Sequence, residues 1–183
     1  MTRHPWALMA LLLLLLPFVT VAYTQVMMRV GSGVPPKMAD ASQQADLVRV
    51  YKEERRLELW RDDQLLRSYA ISLGRAPEGH KHFEGDQRTP EGWYTLDWRN
   101  ARSIAHLSLH ISYPNDADRA HAKAHGRDPG GLIMIHGIIN GWGFLGGLHR
   151  LYDWTDGCIA VTNAEMREIW SLVPNGTPIH IQG

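Results

Sequence analysis

From Asp46 onward apolar and polar residues alternate with a period of two, as in strands that bury one face. In "LVRVYKEE" Val48 and Val50 share a face. In "RLELWRDDQLLRSYAISLG" Leu57 and Leu59 alternate, Asp62-Asp63 supplies a turn, and Leu65, Tyr69, Ile71 and Leu73 resume on one face, which predicts a β-hairpin. Residues 74–92, "GRAPEGHKHFEGDQRTPEG", are dense in Gly, Pro and charge and read as a long loop. "WYTLDW" and "HLSLHIS" follow as strands, the second with Leu107, Leu109 and Ile111 in alternation. "GLIMIHG" is a buried strand with His136 at its C-terminal edge, and "TPIHIQ" is a last strand.

The period lengthens to that of a helix twice. Residues 116–125, "DADRAHAKAH", form a short helix ending at Gly126. "TNAEMREIWSLVPNG" puts Met166, Ile169, Trp170 and Val173 on one side. Thr162 with Glu165 fits a capping box, Asn163 is an alternative cap, and Pro174 and Gly176 stop the helix. The pattern predicts a mainly β domain over residues 46–183 with one or two short helices. Long loops in a compact β domain are more often functional than idle.

Residues 1–25, "MTRHPWALMALLLLLLPFVTVAYTQ", break the pattern. Arg3 supplies a positive n-region, no charge follows until Arg29, and Leu11 to Leu16 form an unbroken apolar run. This reads as a signal peptide, cleaved after a small-x-small Thr20-Val21-Ala22, or as an uncleaved membrane anchor. Residues 26–45 have linker composition. Either reading implies export to the periplasm or cell envelope, with membrane contact through the N-terminal segment alone.

Lysine plus arginine equals aspartate plus glutamate at 19 each. That balance carries none of the basic excess expected of a nucleic-acid binder. Export gives weight to the single cysteine, Cys158 in "LYDWTDGCIAV", because a lone thiol outside the cytoplasm is a free reactive group, an intermolecular bridge or a buried small apolar residue. Gly157 before it allows close approach of a substrate carbonyl, and backbone amides there could form an oxyanion hole. A thiol needs a base to become a strong nucleophile. His136, at a strand end and followed by the glycine-rich "GIINGWGFLGG", is the candidate; His149 in "GLHRLYDW" competes.

These motifs, "IMIHG", a glycine-rich loop and "TDGC" before a helix, together with "RTPEGWY" and "ISLGRAPEG" upstream, resemble the L,D-transpeptidase (YkuD-type) catalytic domain over about residues 46–182. The resemblance implies a β-sandwich-like domain acting on peptidoglycan stem peptides without metal or cofactor. It implies Cys158 as nucleophile and His136 as general base, with the Gly137 carbonyl orienting the imidazole. It also implies Gly157 and Cys158 amides as oxyanion donors. Thr155 lies within the family's pattern. Asp156 stands where the family often has His, and Ala160 where it usually has Arg, so another cation must bind an anionic stem group; Arg150 and Arg88 are candidates. Asp156 would raise the thiol pKa if close, or would orient His149. The acceptor stays open: a second stem, water, or a protein attached to the wall.

Two other readings compete. A zinc peptidase would draw on His136, His149, Asp156 and Cys158, or on His80 and His82, although no standard zinc spacing is present. A non-catalytic wall-binding module would have no need of the Cys/His pair. Trp93, Trp98 and Trp154 read as core packing, whereas Trp142, flanked by glycines, is a candidate substrate wall or lid.

Overall fold

A computed structural model describes residues 5–31 and 33–183, so the positive n-region at Arg3 lies outside the described residues. The alternating segments form β1 (Leu47–Tyr51), β2 (Arg56–Arg61), β3 (Gln64–Ala70), β4 (Gly92–Asn100) and β5 (Ser108–Ile111), followed by β6 (Met134–His136), β7 (Ile159–Ala160) and β8 (Thr177–Gln182). Asp62 and Asp63 turn the β2–β3 hairpin with φ of 48° and 58°. Short Asp side chains tolerate that left-handed geometry, and it matches the strand twist.

A bulge between Leu59 and Trp60 shifts the hairpin's register, so Leu65 falls opposite Trp60 instead of continuing the Leu57–Leu59 face. Leu65 is therefore exposed and Leu66 packs against the core in its place, while Tyr69, Ile71 and Leu73 are buried as expected. Trp93 and Trp98 also depart from expectation. They point away from the buried Tyr94 and Leu96 on β4 and stack on His180 and His110, with ring centroids 4.2 and 4.7 Å apart.

The strands form one eight-stranded sheet in the order β3-β2-β1-β8-β4-β5-β6-β7. The last strand fills the middle, parallel to β1 and antiparallel to β4. The two ends of the sheet then meet. Just beyond β3, Ser72 pairs with Ala160 of β7 and Gly74 with Thr155. Four backbone hydrogen bonds make this seam: Ser72 N–H to Ala160 O (2.9 Å), Ala160 N–H to Ser72 O (2.8 Å), Thr155 N–H to Leu73 O and Arg75 N–H to Thr155 O (both 3.1 Å). Curling the sheet onto itself satisfies edges that would otherwise stay open. The result is the mainly β fold that the alternation predicts, built as one curled sheet.

Val50, Leu59, Leu109, Ile135, Ile159 and Ile181 fill the interior, and α3 (Asn163–Leu172) adds Met166, Ile169 and Trp170. The Thr162–Glu165 capping box is formed, and α2 (Asp116–Ala124) has another between Asn115 and Asp118. At the N-terminus, α1 (Pro5–Val30) continues past residue 25, and its Leu13–Val30 stretch is long and apolar enough to cross a membrane. Residues 34–45 then lie along α3, where Arg167 donates to Val34 O (3.0 Å) and Ala45 N–H to Leu172 O (2.8 Å).

A Cβ on Gly74 would stand 2.1 Å from the Gln87 carbonyl oxygen and 3.0 Å from Gly157 Cα. Gly74→Ala therefore overpacks the seam between two backbones that cannot give way. It is expected to cost about 2–3 kcal/mol, a fall of roughly 5–10 °C in Tm. Thermal unfolding followed by circular dichroism measures it, and an unchanged Tm would mean the seam is slack.

Candidate active site

The parallel β6–β7 pairing sets Ile135 opposite Ile159 and His136 opposite Ala160. One step back along that register, Cys158 lies beside Met134, whose N–H donates to Cys158 Sγ at 3.4 Å. Ile135 and Ile159 are fully buried in the core. Met134, His136 and Cys158 therefore share the opposite face, because side chains alternate along a strand. Ser108 of β5, paired with His136, joins them. Together these four residues line a cavity of about 510 Å³, walled further by Trp154, Thr155 and Asp156.

Gly157 makes the turn into the cysteine possible. Its φ is +124°, and a Cβ there would stand 2.5 Å from the Arg88 carbonyl oxygen. The Thr155 hydroxyl locks the turn, donating to Cys158 O (2.7 Å) while accepting from Gly157 N–H (3.2 Å). The Gly157 amide, expected to face a substrate oxygen, is thereby taken up inside the turn.

His136 Nδ1 lies 2.6 Å from the Gly137 carbonyl. That contact assigns the proton to Nδ1 and leaves the Nε2 lone pair free, as a general base requires. Gly137 lets the strand end approach α3, since a Cβ would stand 2.7 Å from Asn163 Oδ1, which itself accepts from Ile138 N–H at 2.8 Å. Burial lowers the His136 pKa against the opposing pull of the Gly137 carbonyl. Burial also pushes the Cys158 thiol up to about 11; the Met134 amide works against this and Asp156 adds to it. The thiol donates to the Leu132 carbonyl at 3.7 Å, so at rest its partners are backbone groups. The resting pair is a neutral thiol and a neutral imidazole.

Several expected site residues lie elsewhere. His149 is buried behind Trp154, whose Nε1–H donates to His149 Nδ1 at 3.3 Å and whose ring meets His136 edge-on at 5.6 Å. Burial, with Arg150 next to it, holds the His149 pKa down to about 4. His149 thus backs the wall of the site and does not reach the thiol. Arg150 is paired with Glu165 at 3.2 Å. Arg88 contributes its carbonyl behind Gly157, while its guanidinium runs toward Gly79. Trp142 is turned to α1, donating from Nε1 to Thr24 Oγ1 at 2.9 Å. None of these four lines the cavity that holds Cys158.

The cations that do line it are Arg75 and Arg102. Asp156 is exposed and faces Arg75 at 3.3 Å rather than His149. Arg102 has no ion-pair partner among the described residues. Strand parity would have found Ser108, two residues from His110 on the face of β5 that pairs with Met134 and His136. Arg75 and Arg102 sit in loops and carry no such signal.

Among the described residues no group of three or more His, Cys, Asp or Glu is placed to hold a metal ion. His80 instead pairs with Asp118 at 3.0 Å, and His82 stacks on His121.

Residues 45–181 match the family model of the L,D-transpeptidase catalytic domain, YkuD. The chain belongs to that family. Among curated relatives of this L,D-transpeptidase-family chain, the putative L,D-transpeptidase YafK of Escherichia coli K12 is 31% identical over 132 residues. That alignment covers 69% of this chain and 46% of YafK. Among solved structures, the helical cell shape determining protein Pgp2 from Campylobacter jejuni superposes with a TM-score of 0.57 at 22% identity, over 87% of this chain and 54% of that one. Bd1075 of Bdellovibrio bacteriovorus gives 0.53 at 22%, over 81% and 51%. These two likenesses concern the fold. The chain spans about half the length of the relatives it matches.

A neutral thiol–imidazole pair has a definite pH signature. Alkylation of Cys158 by iodoacetamide should keep accelerating from pH 7 past pH 9 as thiolate forms. A plateau already reached at pH 5–6 would instead indicate a preformed thiolate–imidazolium pair.

Proposed function

We propose that this chain is an L,D-transpeptidase that transfers acyl groups between peptidoglycan stem peptides through Cys158. The observation that carries the reading is the cross-strand placement of Cys158 and His136 on one face of the sheet. They share a cavity there, and the Gly137 carbonyl leaves Nε2 as the unprotonated nitrogen. Substrate binding turns the thiol from the Leu132 carbonyl toward that nitrogen. Sγ then adds to the carbonyl of the L-centred third stem residue as Nε2 accepts the thiol proton. The tetrahedral oxyanion is held by the Cys158 N–H, since Thr155 occupies that of Gly157.

On collapse the peptide C–N bond breaks. Nε2 returns its proton to the departing D-alanine amine, leaving a thioester. An amine of a second stem attacks the thioester and regenerates the thiol. Water in its place would give a carboxypeptidase, and an amine or amide link to a wall-attached protein is a further outcome of the same chemistry. Arg102, on the cavity wall and without an ion-pair partner among the described residues, binds a stem carboxylate in place of the arginine that Ala160 replaces. The site acts outside the cytoplasm, on the side of the membrane where the wall is built. Cell-shape control, the role named for the Campylobacter neighbour, is a setting consistent with it.

The test incubates the full chain in detergent with tetrapeptide muropeptides and follows protein and peptides by intact-mass spectrometry. Loss of D-alanine with an acyl adduct on Cys158, both abolished in Cys158→Ala, is expected. Dimers mark a transpeptidase, and tripeptides alone a carboxypeptidase. Arg102→Ala should raise KM about tenfold, a loss of roughly 1.4 kcal/mol, with kcat little changed. Turnover that survives Cys158→Ala would overturn the mechanism. An inert wild type that binds muropeptides would favour the wall-binding module.

A further inference from the structure

The last turns of α1 are joined to the loop that leads from β6 to β7. Tyr23 Oη donates to the Gly141 carbonyl at 2.9 Å, and Trp142 Nε1–H donates to Thr24 Oγ1 at 2.9 Å. The Tyr23 and Trp142 rings meet edge to face at 5.9 Å. At Gly141, with φ +88°, a Cβ would stand 2.7 Å from Met27 Cβ, so helix and loop are in close contact. The level of this joint along the helix is informative. The Leu13–Val30 window includes Thr24, Gln25 and Arg29, so the leucine-rich stretch before them is the part suited to the hydrocarbon. At 1.5 Å rise per residue, Pro5 to Tyr23 spans about 27 Å, close to the roughly 30 Å hydrocarbon thickness of a bilayer. Tyr23-Thr24-Gln25 then ends the uncharged, mostly apolar run, and Arg29 follows. If α1 spans the membrane, Tyr23 and Trp142 stand at the headgroup boundary, where Tyr and Trp are favoured.

The segment just past that joint is apolar and uncovered. Phe144, Leu148, Leu151 and Tyr152 are 75%, 62%, 79% and 70% exposed with α1 in place. The first three lie within a 3-10 segment, Gly143–Leu151, and Tyr152 follows it; Leu148, Leu151 and Tyr152 rim an apolar recess of about 520 Å³. Four large apolar side chains clustered within nine residues exceed the scattered exposure of an ordinary soluble surface.

We propose that Gly143–Tyr152 is a membrane-seated surface whose Phe144, Leu148, Leu151 and Tyr152 enter the headgroup–acyl boundary of the bilayer that holds α1. The proposal rests on α1 being retained as an anchor and goes beyond it, since a bare anchor leaves the domain free to stand off the membrane. Ile139 and Trp154 line both this recess and the cavity of Cys158. Seating the segment would therefore fix the catalytic cavity against the membrane, with its Trp154 wall turned to lipid.

The single native cysteine makes a depth measurement direct. In a Cys158→Ser full chain, Leu148→Cys, Val19→Cys and Lys123→Cys would each carry a nitroxide. Each variant is reconstituted into phosphatidylethanolamine–phosphatidylglycerol vesicles. Collision rates with oxygen and with a nickel chelate are compared by electron paramagnetic resonance. Lys123, exposed on α2, reports water. The expected result is nickel protection of at least fivefold at both Val19 and Leu148 relative to Lys123, with raised oxygen access. Protection at Val19 with a Leu148 signal like that of Lys123 would overturn the seating while leaving the anchor intact. Water access at both sites would overturn the anchor and the seating together. Neither outcome bears on Cys158 chemistry, which the muropeptide assay reads separately.

Discussion

Everything that positions the thiol depends on the closure of the sheet between Ser72 and Ala160. β7 is only two residues long, too short to hold itself in place by one ladder. It is gripped from both sides, by His136 and Ile135 of β6 and by the strand extension at Ser72. Cys158 is the residue immediately before it. The same closure presses Gly74 and Gly157 together against the backbone of residues 87–88, so no side chain can be added at either glycine. The constraint is steric and hydrogen-bonded at once, and it converts a flexible Thr-Asp-Gly-Cys loop into a turn of one geometry.

Closure also sets the electrostatics. The nearest amide to the sulfur is that of Met134, one hydrogen bond against a larger cost of burial, and the charged form is disfavoured. His136 is disfavoured as a cation for the same reason. Two groups that each resist ionisation where they stand disfavour a standing thiolate–imidazolium pair. Trp154 and His149 add a second wall behind the imidazole, and the low pKa of His149 keeps that wall uncharged across the physiological range.

Much of this was legible in the chain because it is local. Two-residue alternation marks the strands, and the Asp62-Asp63 turn and the Thr162–Glu165 cap are signalled by residues a few positions apart. Cys158 and His136 were legible from motif and strand-end position. Leu65 was misplaced because one bulge reverses the parity of every residue beyond it. Trp93 was misread because it alternates with the buried Tyr94, and Trp98, in phase with Tyr94 and Leu96, because the register shifts between Leu96 and Arg99. The cations of the cavity were not legible for a different reason. Arg88 and Arg150 are near the motifs in sequence but do not line the cavity of the thiol, whereas Arg75 and Arg102 do. Only the long-range seam and the path of the loops decide between those pairs.

The central claim is that closure at Ser72–Ala160 holds the Cys158 thiol in place, and amide hydrogen exchange tests it most directly. Both residues are buried and each donates its N–H to the other's carbonyl. The account predicts that the Ser72 and Ala160 amides exchange as slowly as those of the β1–β2 core, at the rate of global unfolding. Rapid exchange at these two amides, with the β1–β2 amides still protected, would contradict it and would place Cys158 on a loop that opens independently of the fold.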